Sequence, residues 1–111
     1  MKCNDQEVIF AIVNAGFAED IMELARAQGV RGGTIVDARG VVREEAAEFF
    51  GITLHREKEI LMMVVDKTIR DNVLNALYRD SGKKAGCFAF SMPVSDVAGF
   101  APAQEPQPEL T

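Results

Sequence analysis

Residues 60–94 contain a complete strand–helix–strand unit, with the sequence ILMMVVDKTIRDNVLNALYRDSGKKAGCFAFSMPV. The apolar run Ile60–Val65 predicts a strand, and Asp66 after it is a favourable N-cap for a helix. Gly82 predicts the end of that helix, and Cys87–Val94 predicts the next strand. The helix itself is indicated by an apolar stripe at helical spacing: Ile69, Val73, Ala76 and Leu77.

The first part of the chain repeats this order. Glu7–Val13 predicts a strand that ends before Gly16, and Thr34–Ala38 predicts a second one. Between them lies a helix with Gly29 as its stop signal and an apolar stripe of Phe17, Ile21, Leu24, Ala25 and Gln28. The order βαββαβ predicts an α+β protein with the ferredoxin-like split βαβ fold. In that fold a four-stranded antiparallel sheet carries both helices on one face.

The second face of this sheet is also predicted to be covered. A sheet with one wet face should alternate apolar and polar residues, yet Val8–Val13 and Ile60–Val65 are apolar at every position. Two helices can cover only one face, so the other is expected to meet another subunit. The sequence therefore predicts an oligomer.

Length and composition exclude several classes of protein. The chain has 111 residues, 48% of them hydrophobic, and a formal net charge of −5. A broad nucleic-acid surface is not expected from this charge, and no apolar run approaches the ~20 residues of a membrane span. The polar start of the chain does not resemble a secretory signal, so we expect a cytoplasmic protein. We expect residues 1–100 to form one domain and the proline-rich residues 101–111 to form a disordered tail.

The residues that most often carry catalysis are scarce. The chain has one histidine, His55, and two cysteines, Cys3 and Cys87, and it has none of the common nucleophile or nucleotide motifs. We therefore predict a binding protein and not an enzyme. His55 and Cys3 are interpreted as exposed, Cys87 as a buried and inert thiol, and Met62 and Met63 as core residues.

With these elements in place, the chain resembles the PII family of nitrogen-regulatory signalling proteins, in a short-loop form. The resemblance runs from Val8 to Val94 and is carried by residues 12–17 (IVNAGF), 29–35 (GVRGGTI), 38–43 (ARGVVR) and 60–65 (ILMMVV). It implies a homotrimer whose sheets pack face to face. It also implies ATP or ADP in the clefts between subunits, and a loop after the second strand that contacts a partner protein.

The resemblance also assigns roles to single residues. Thr34 matches a threonine beside the adenine, and Val64 matches a position that lines the base pocket. Gly40 and Arg43 match the loop base that touches the phosphates, and Gly82–Gly86 matches the phosphate-binding glycine loop. Three family features are missing: Cys87 stands in place of a lysine, no arginine pair follows the last strand, and the loop has no tyrosine.

The chemistry of the residues points to the same region. Arginine and lysine side chains and glycine-containing turns hold phosphate groups, and the candidates here are Arg39, Arg43, Lys83 and Lys84, with Gly82 and Gly86 in the turn. AMP, ADP or ATP is the expected effector, with no required cofactor and no metal site. The alternative interpretation of this turn is a solvated loop after a helix.

The loop of residues 41–58 is the predicted partner-binding element. Phe49 and Phe50 would be its anchors in a target protein, either a transporter or an enzyme. The alternative is a short amphipathic helix with both phenylalanines folded onto their own trimer. The charged cluster of residues 56–59 (REKE) is interpreted as a solvated strand entry.

Two other functions remain open at this point. One is a small ferredoxin-like enzyme of the acylphosphatase type, which needs an arginine and an asparagine facing one phosphate. The other is a metal-responsive trimer of the copper-tolerance type, in which subunits would pool their few ligands.

Overall fold

The computed structural model describes residues 5–41 and 56–99. Six elements follow in the order β1 (Gln6–Asn14), α1 (Ala18–Ala27), β2 (Thr34–Arg39), β3 (Glu57–Asp66), α2 (Lys67–Asp80) and β4 (Phe88–Pro93). This order confirms the predicted βαββαβ arrangement. Several predicted features lie outside the described residues: Cys3, Arg43, Phe49, Phe50, His55, most of the 41–58 loop and the tail of residues 101–111.

The four strands form one sheet in the order β2-β3-β1-β4, and all neighbouring strands are antiparallel. Alternate residues of β1 and β3 face the two helices and form the core with them. The strand residues of this core are Ile9, Ala11, Val13, Leu61, Met63 and Val65, and the helices add Ala18, Ile21, Met22, Ala25, Val73 and Leu77. The predicted ferredoxin-like fold is therefore confirmed.

Helix α1 begins and ends where the sequence indicates. Gly16 and Gly29 flank it with φ angles of +95° and +104°, which glycine adopts without strain. The carboxylate of Glu59 on β3 accepts hydrogen bonds from the backbone N–H groups of Gly16 and Ala18, both at 3.0 Å. A carboxylate at this position also complements the helix dipole.

Strand β3 is longer at its start than predicted. It begins at Glu57 and not at Ile60, so the last two residues of the predicted 41–58 loop belong to the sheet. The interpretation of residues 56–59 as a solvated strand entry holds for Arg56 and Glu57, which are exposed. It is wrong for Lys58 and Glu59, which are partly buried and hydrogen-bonded. Hydrophobic periodicity could not find this extension, since polar partners hold it and not apolar packing.

Helix α2 presents its predicted stripe to the core, with Val73, Ala76 and Leu77 buried. An ion pair between Arg70 and the buried Glu7, 2.8 Å apart, ties this helix to β1. Hydrogen bonds to Glu7 and Asp71 hold the pKa of Arg70 above its ordinary value. Within the described residues, neither helix is long and apolar enough to cross a membrane.

The face of the sheet away from the helices is apolar and uncovered in the single chain. We call it the open face, and strand alternation places these residues on it: Val8, Phe10, Ile12, Val36, Ile60, Met62, Val64, Phe88, Phe90 and Met92. The rings of Phe10 and Phe90 stack there at a centroid distance of 5.4 Å. Met63 is a core residue as predicted, whereas Met62 lies on the open face.

Candidate functional site

The turn between α2 and β4 is compact and contains two glycines with positive φ. Gly82 has a φ of +82° and Gly86 a φ of +58°. The N–H of Gly86 donates to the carbonyl oxygen of Lys83 at 3.2 Å, which closes the turn. Lys83 and Lys84 are both exposed. The turn therefore carries two exposed lysines between two glycines, a composition that suits an anion site.

Asn14, the last residue of β1, holds this turn against the sheet. Its backbone N–H donates to the carbonyl oxygen of Ala85 at 2.8 Å, and its side-chain Nδ2 donates to the carbonyl oxygen of Lys84 at 2.9 Å. Its Oδ1 accepts a hydrogen bond of 2.7 Å from Nζ of Lys58. Asn14 is only 7% exposed, so these polar atoms are fixed by the protein and not by solvent.

The base of the loop between β2 and β3 lies at the same end of the sheet. The N–H of Gly40 donates to the carbonyl oxygen of Arg56 at 2.7 Å. A Cβ at Gly40 would stand 3.1 Å from Cε of Lys58, so the lysine stem packs closely along this glycine. Lys58 thereby joins Gly40 to Asn14 and the turn. We call this region, made of Asn14, Gly40, Lys58 and residues 82–86, the turn end of the sheet.

The structure brings some of the predicted ligand residues together and separates others. Gly40, Lys83, Lys84 and the two glycines of the turn meet at the turn end. Thr34 and Val64 lie on the open face, since Thr34 pairs with Met62, two positions from Val64. Val64 is six residues from Lys58 along β3, which corresponds to about 20 Å at ~3.3 Å per residue. Within one chain the predicted site is therefore split into two halves.

Arg39, another predicted ligand residue, lies on the opposite face of the sheet from Lys58 and Asn14. It pairs with Glu57, and strand alternation places both on the side that faces the helices. Lys58, one position further along β3, lies on the side of the open face and donates a hydrogen bond to Asn14, which holds the turn. Arg43 lies outside the described residues.

A cleft of about 600 Å³ opens beside the turn, between the C-terminal half of α2 and the start of β4. Its lining residues include Leu74, Leu77, Tyr78, Arg79, Lys83 and Cys87. The sequence predicts a buried Cys87, but this residue is only half-buried, because it directly follows the turn and lines this cleft. Its partial burial raises the pKa of its thiol.

Two residues of the turn end received no role from the sequence, namely Asn14 and Lys58. Asn14 follows an apolar strand and precedes a glycine, which is typical of an ordinary strand exit. Lys58 lies in a run of alternating charge that resembles a solvated surface. Only the register of β1 against β3, which pairs these two residues, brings them to the turn.

A metal centre finds no support in the described residues, among which no three histidine, cysteine, aspartate or glutamate side chains form a group. The groups that meet at the turn end are cationic or neutral. Their chemistry suits an anion.

Comparison with known proteins bears on the class of this fold. No protein-family profile matches the sequence, and no curated protein sequence matches it significantly. Solved structures match over most of the chain. CPII, a nitrogen regulatory PII-like protein from Thiomonas intermedia K12 that was solved with ADP, AMP and acetate, has a TM-score of 0.67 at 14% identity. The alignment covers 88% of this chain and 94% of CPII.

Two further structures extend the comparison. PII of Arabidopsis thaliana, solved with citrate, is 25% identical at a TM-score of 0.63, with 85% of this chain and 81% of that chain covered. A DUF3240 family protein from Shewanella baltica is 15% identical at a TM-score of 0.66, with 89% of this chain and 100% of that chain covered. The chain therefore has a divergent PII-like fold, as the resemblance in the sequence implied.

Proposed function

We propose that the protein is a PII-like regulatory protein that acts as a homotrimer and binds a small anionic metabolite, an adenine nucleotide in particular. The observation that carries this proposal is the placement of the glycine turn, Gly40 and three lysines at one end of the sheet, linked through Asn14. Occupancy of the site is relayed to a target protein through the loop of residues 41–58. The proposal includes no catalysis and a cytoplasmic location.

The turn end has the chemistry of a phosphate site. Lys58, Lys83 and Lys84 place three lysines at one end of the sheet, in a chain whose formal net charge is −5. A local cluster of positive charge on an acidic protein concentrates small anions at that place. CPII, which shares this fold, was solved with ADP and AMP.

The split between the two halves of the predicted site supports a position between subunits. Thr34 and Val64 lie on the open face. Thr34 pairs with Met62, four residues from Lys58 along β3, and Val64 is six residues from Lys58, which correspond to about 13 and about 20 Å at ~3.3 Å per residue. In one copy these two residues are therefore well separated from the lysines of the turn end. A second copy seated on the open face would bring its own Thr34 and Val64 towards the turn end of the first. The same packing would cover the apolar side chains that the single chain leaves exposed.

The relay to a target begins at the base of the 41–58 loop. Gly40 and Arg56, which flank the segment of residues 41–55, are joined by a backbone hydrogen bond of 2.7 Å. A ligand that contacts Gly40 and Arg43 would favour one arrangement of the segment over another, which is the requirement for a ligand-driven change. Phe49 and Phe50 are the proposed contacts with the target. Phe49→Ala and Phe50→Ala should abolish target binding and leave the mass of the assembly and the nucleotide affinity unchanged.

Isothermal titration calorimetry with AMP, ADP and ATP tests the binding site. Lys83→Ala, Lys84→Ala and Arg43→Ala should each weaken binding by about 1.5–3 kcal/mol if each side chain makes a charge-assisted hydrogen bond. Lys67→Ala is the matched control, because Lys67 is an exposed lysine at the start of α2, at the opposite end of β3 from Lys58. Because Cys87 stands in place of a lysine, ATP should gain little over AMP. Equal affinity in all variants would contradict the assignment.

Thermal unfolding in the presence of candidate ligands separates the proposal from its alternatives. A ligand that binds only the folded protein raises the unfolding temperature with its concentration. A shift with adenine nucleotides supports the proposal. A shift with divalent metals alone would favour a metal-responsive trimer. In a separate activity assay, hydrolysis of an acyl phosphate would favour an acylphosphatase-like enzyme.

A further inference from the structure

We propose that Asn14 is a positioning residue that orders the Gly82–Gly86 turn for an anion and couples it to the base of the 41–58 loop. The inference rests on the proposed function, which it deepens by naming how the two parts of the site communicate. It is carried by the three hydrogen bonds that this one buried residue makes to the turn and to Lys58.

The orientation of the Asn14 amide is fixed by its partners. An ammonium group can only donate and a carbonyl oxygen can only accept. Oδ1 must therefore face Lys58, and Nδ2 must face the carbonyl oxygen of Lys84. No other residue type of this size supplies one acceptor and one donor in this arrangement. Aspartate would place an oxygen against the Lys84 carbonyl, and alanine would remove both contacts.

Asn14 also directs the peptide groups of the turn. The carbonyl oxygens of Lys84 and Ala85 both point to Asn14. In a trans peptide the N–H points opposite to the carbonyl, and the described residues contain no cis peptide. The N–H groups of Ala85 and Gly86 therefore point away from Asn14. The N–H of Gly86 is used within the turn, where it donates to the carbonyl oxygen of Lys83. Asn14 therefore draws two negative carbonyl dipoles away from the outer side of the turn, which lowers the repulsion that an anion near the exposed Lys83 and Lys84 would meet.

The fit between Asn14 and the turn is tight. A Cβ at Gly86 would stand 2.9 Å from Nδ2 of Asn14, closer than real side chains approach. Glycine at this position lets the turn lie directly on the amide. Because the Asn14 amide and the backbone of the turn are in direct contact, a displacement of either one displaces the other.

Lys58 carries this link to the loop base. Its Nζ is 2.7 Å from Oδ1 of Asn14, and its stem packs along Gly40, whose N–H bonds to Arg56. The turn and the loop base are thus joined through one amide and one lysine. An anion that orders the turn should also protect the Gly40 hydrogen bond, because Asn14 and Lys58 connect the two. Such a coupling acts equally in both directions, so ordering of the loop base should in turn favour the ordered turn.

Amide hydrogen exchange on the full-length protein tests the coupling without a ligand. Asn14→Ala and Asn14→Asp should speed exchange of the N–H groups of residue 14 and Gly86 at least tenfold. Lys58→Met keeps the Nδ2 contact, so it should leave the turn protected and speed exchange at Gly40. Asn75→Ala, at an exposed position of α2, is the matched control and should change neither. Strand Ile60–Val65 is the internal reference.

Calorimetry with ADP completes the test. Asn14→Ala should raise the dissociation constant at least fivefold, and Asn14→Asp should raise it further because it adds a negative charge. Unchanged ADP affinity despite faster exchange, or faster exchange throughout Ile60–Val65, would overturn the positioning role and leave a structural one. Should the wild type not bind ADP, the proposed function fails, and the exchange pattern at Gly86 and Gly40 alone decides whether Asn14 couples them.

Discussion

Gly86 shows how one residue sets the shape of the candidate site. Its φ of +58° is unfavourable for other residues, and a Cβ there would meet Asn14 at 2.9 Å. Gly86→Ala should therefore lower the free energy of unfolding by about 2–3 kcal/mol, the upper part of the range for strained backbone positions. Denaturant unfolding with an unchanged slope measures this cost.

Gly82→Ala is the control for Gly86→Ala. Gly82 also has a positive φ, but nothing lies within 4 Å of a Cβ at this position. Its replacement should cost only the backbone strain of about 1–2 kcal/mol. Equal costs for the two variants would show that the contact with Asn14 contributes nothing.

Cys87 gives a prediction about pH. Burial raises the pKa of its thiol, because the thiolate loses solvation. The protonated form is therefore favoured by folding. This contribution to stability is complete below the pKa of the unfolded chain and is lost as the pH rises through the folded value. Alkylation of Cys87, measured in a Cys3→Ser background, should be slower in the folded than in the unfolded protein and should reach its half-maximal rate at a higher pH. Coinciding pH profiles would contradict this.

At the scale of elements, Glu59 joins a strand to the start of a helix. Its carboxylate accepts two backbone N–H groups at the beginning of α1. Glu59→Ala should destabilise the protein by about 1 kcal/mol, the usual cost of losing an N-terminal cap. Glu59→Gln keeps an acceptor oxygen and should cost less. Glu57→Ala, at an exposed position of the same strand, is the control. Thermal unfolding that ranks all three variants equally would contradict the capping role.

The elements were predictable because each carries a local signal. The apolar runs, the helical stripes and the glycines after the helices gave the order βαββαβ and the core side of α2. The start of β3 and the roles of Asn14, Lys58 and Glu59 were not predictable. These side chains act on partners more than 40 residues away, and their local sequence resembles an ordinary charged surface.

The candidate site was predicted in part. The sequence singled out the Gly82–Gly86 turn and Gly40, which the structure brings to one end of the sheet. It singled out Arg39 and not Lys58, since only the register of the strands shows which of the two lies on the side of Asn14. The position of Thr34 and Val64 in a second half of the site also depends on that register.

For the whole molecule, the open face is the dominant feature. Val64 is 54% exposed and Phe88 is 64% exposed, and both belong to the ten apolar side chains of this surface. At ~25 cal/mol per Å² of apolar surface, covering such a face stabilises an assembly strongly. Isolated apolar side chains are normal on a protein surface, but a contiguous patch of this kind marks an interface.

The proposed trimer would cover this face, and a single introduced charge tests it. We expect light scattering to give three times the chain mass of 12.1 kDa. Met62→Glu should reduce the mass to that of a monomer, because an unpaired charge buried between subunits costs several kcal/mol. Tyr78→Glu is the control, since Tyr78 is exposed on α2, away from the open face.

Met63→Glu should instead unfold the chain, because Met63 is 1% exposed in the core. Circular dichroism distinguishes the two methionine variants: Met62→Glu should keep its helical signal while it loses mass. A wild-type protein that is already monomeric at micromolar concentration would contradict the trimer, and with it the placement of Thr34 and Val64 across a subunit cleft.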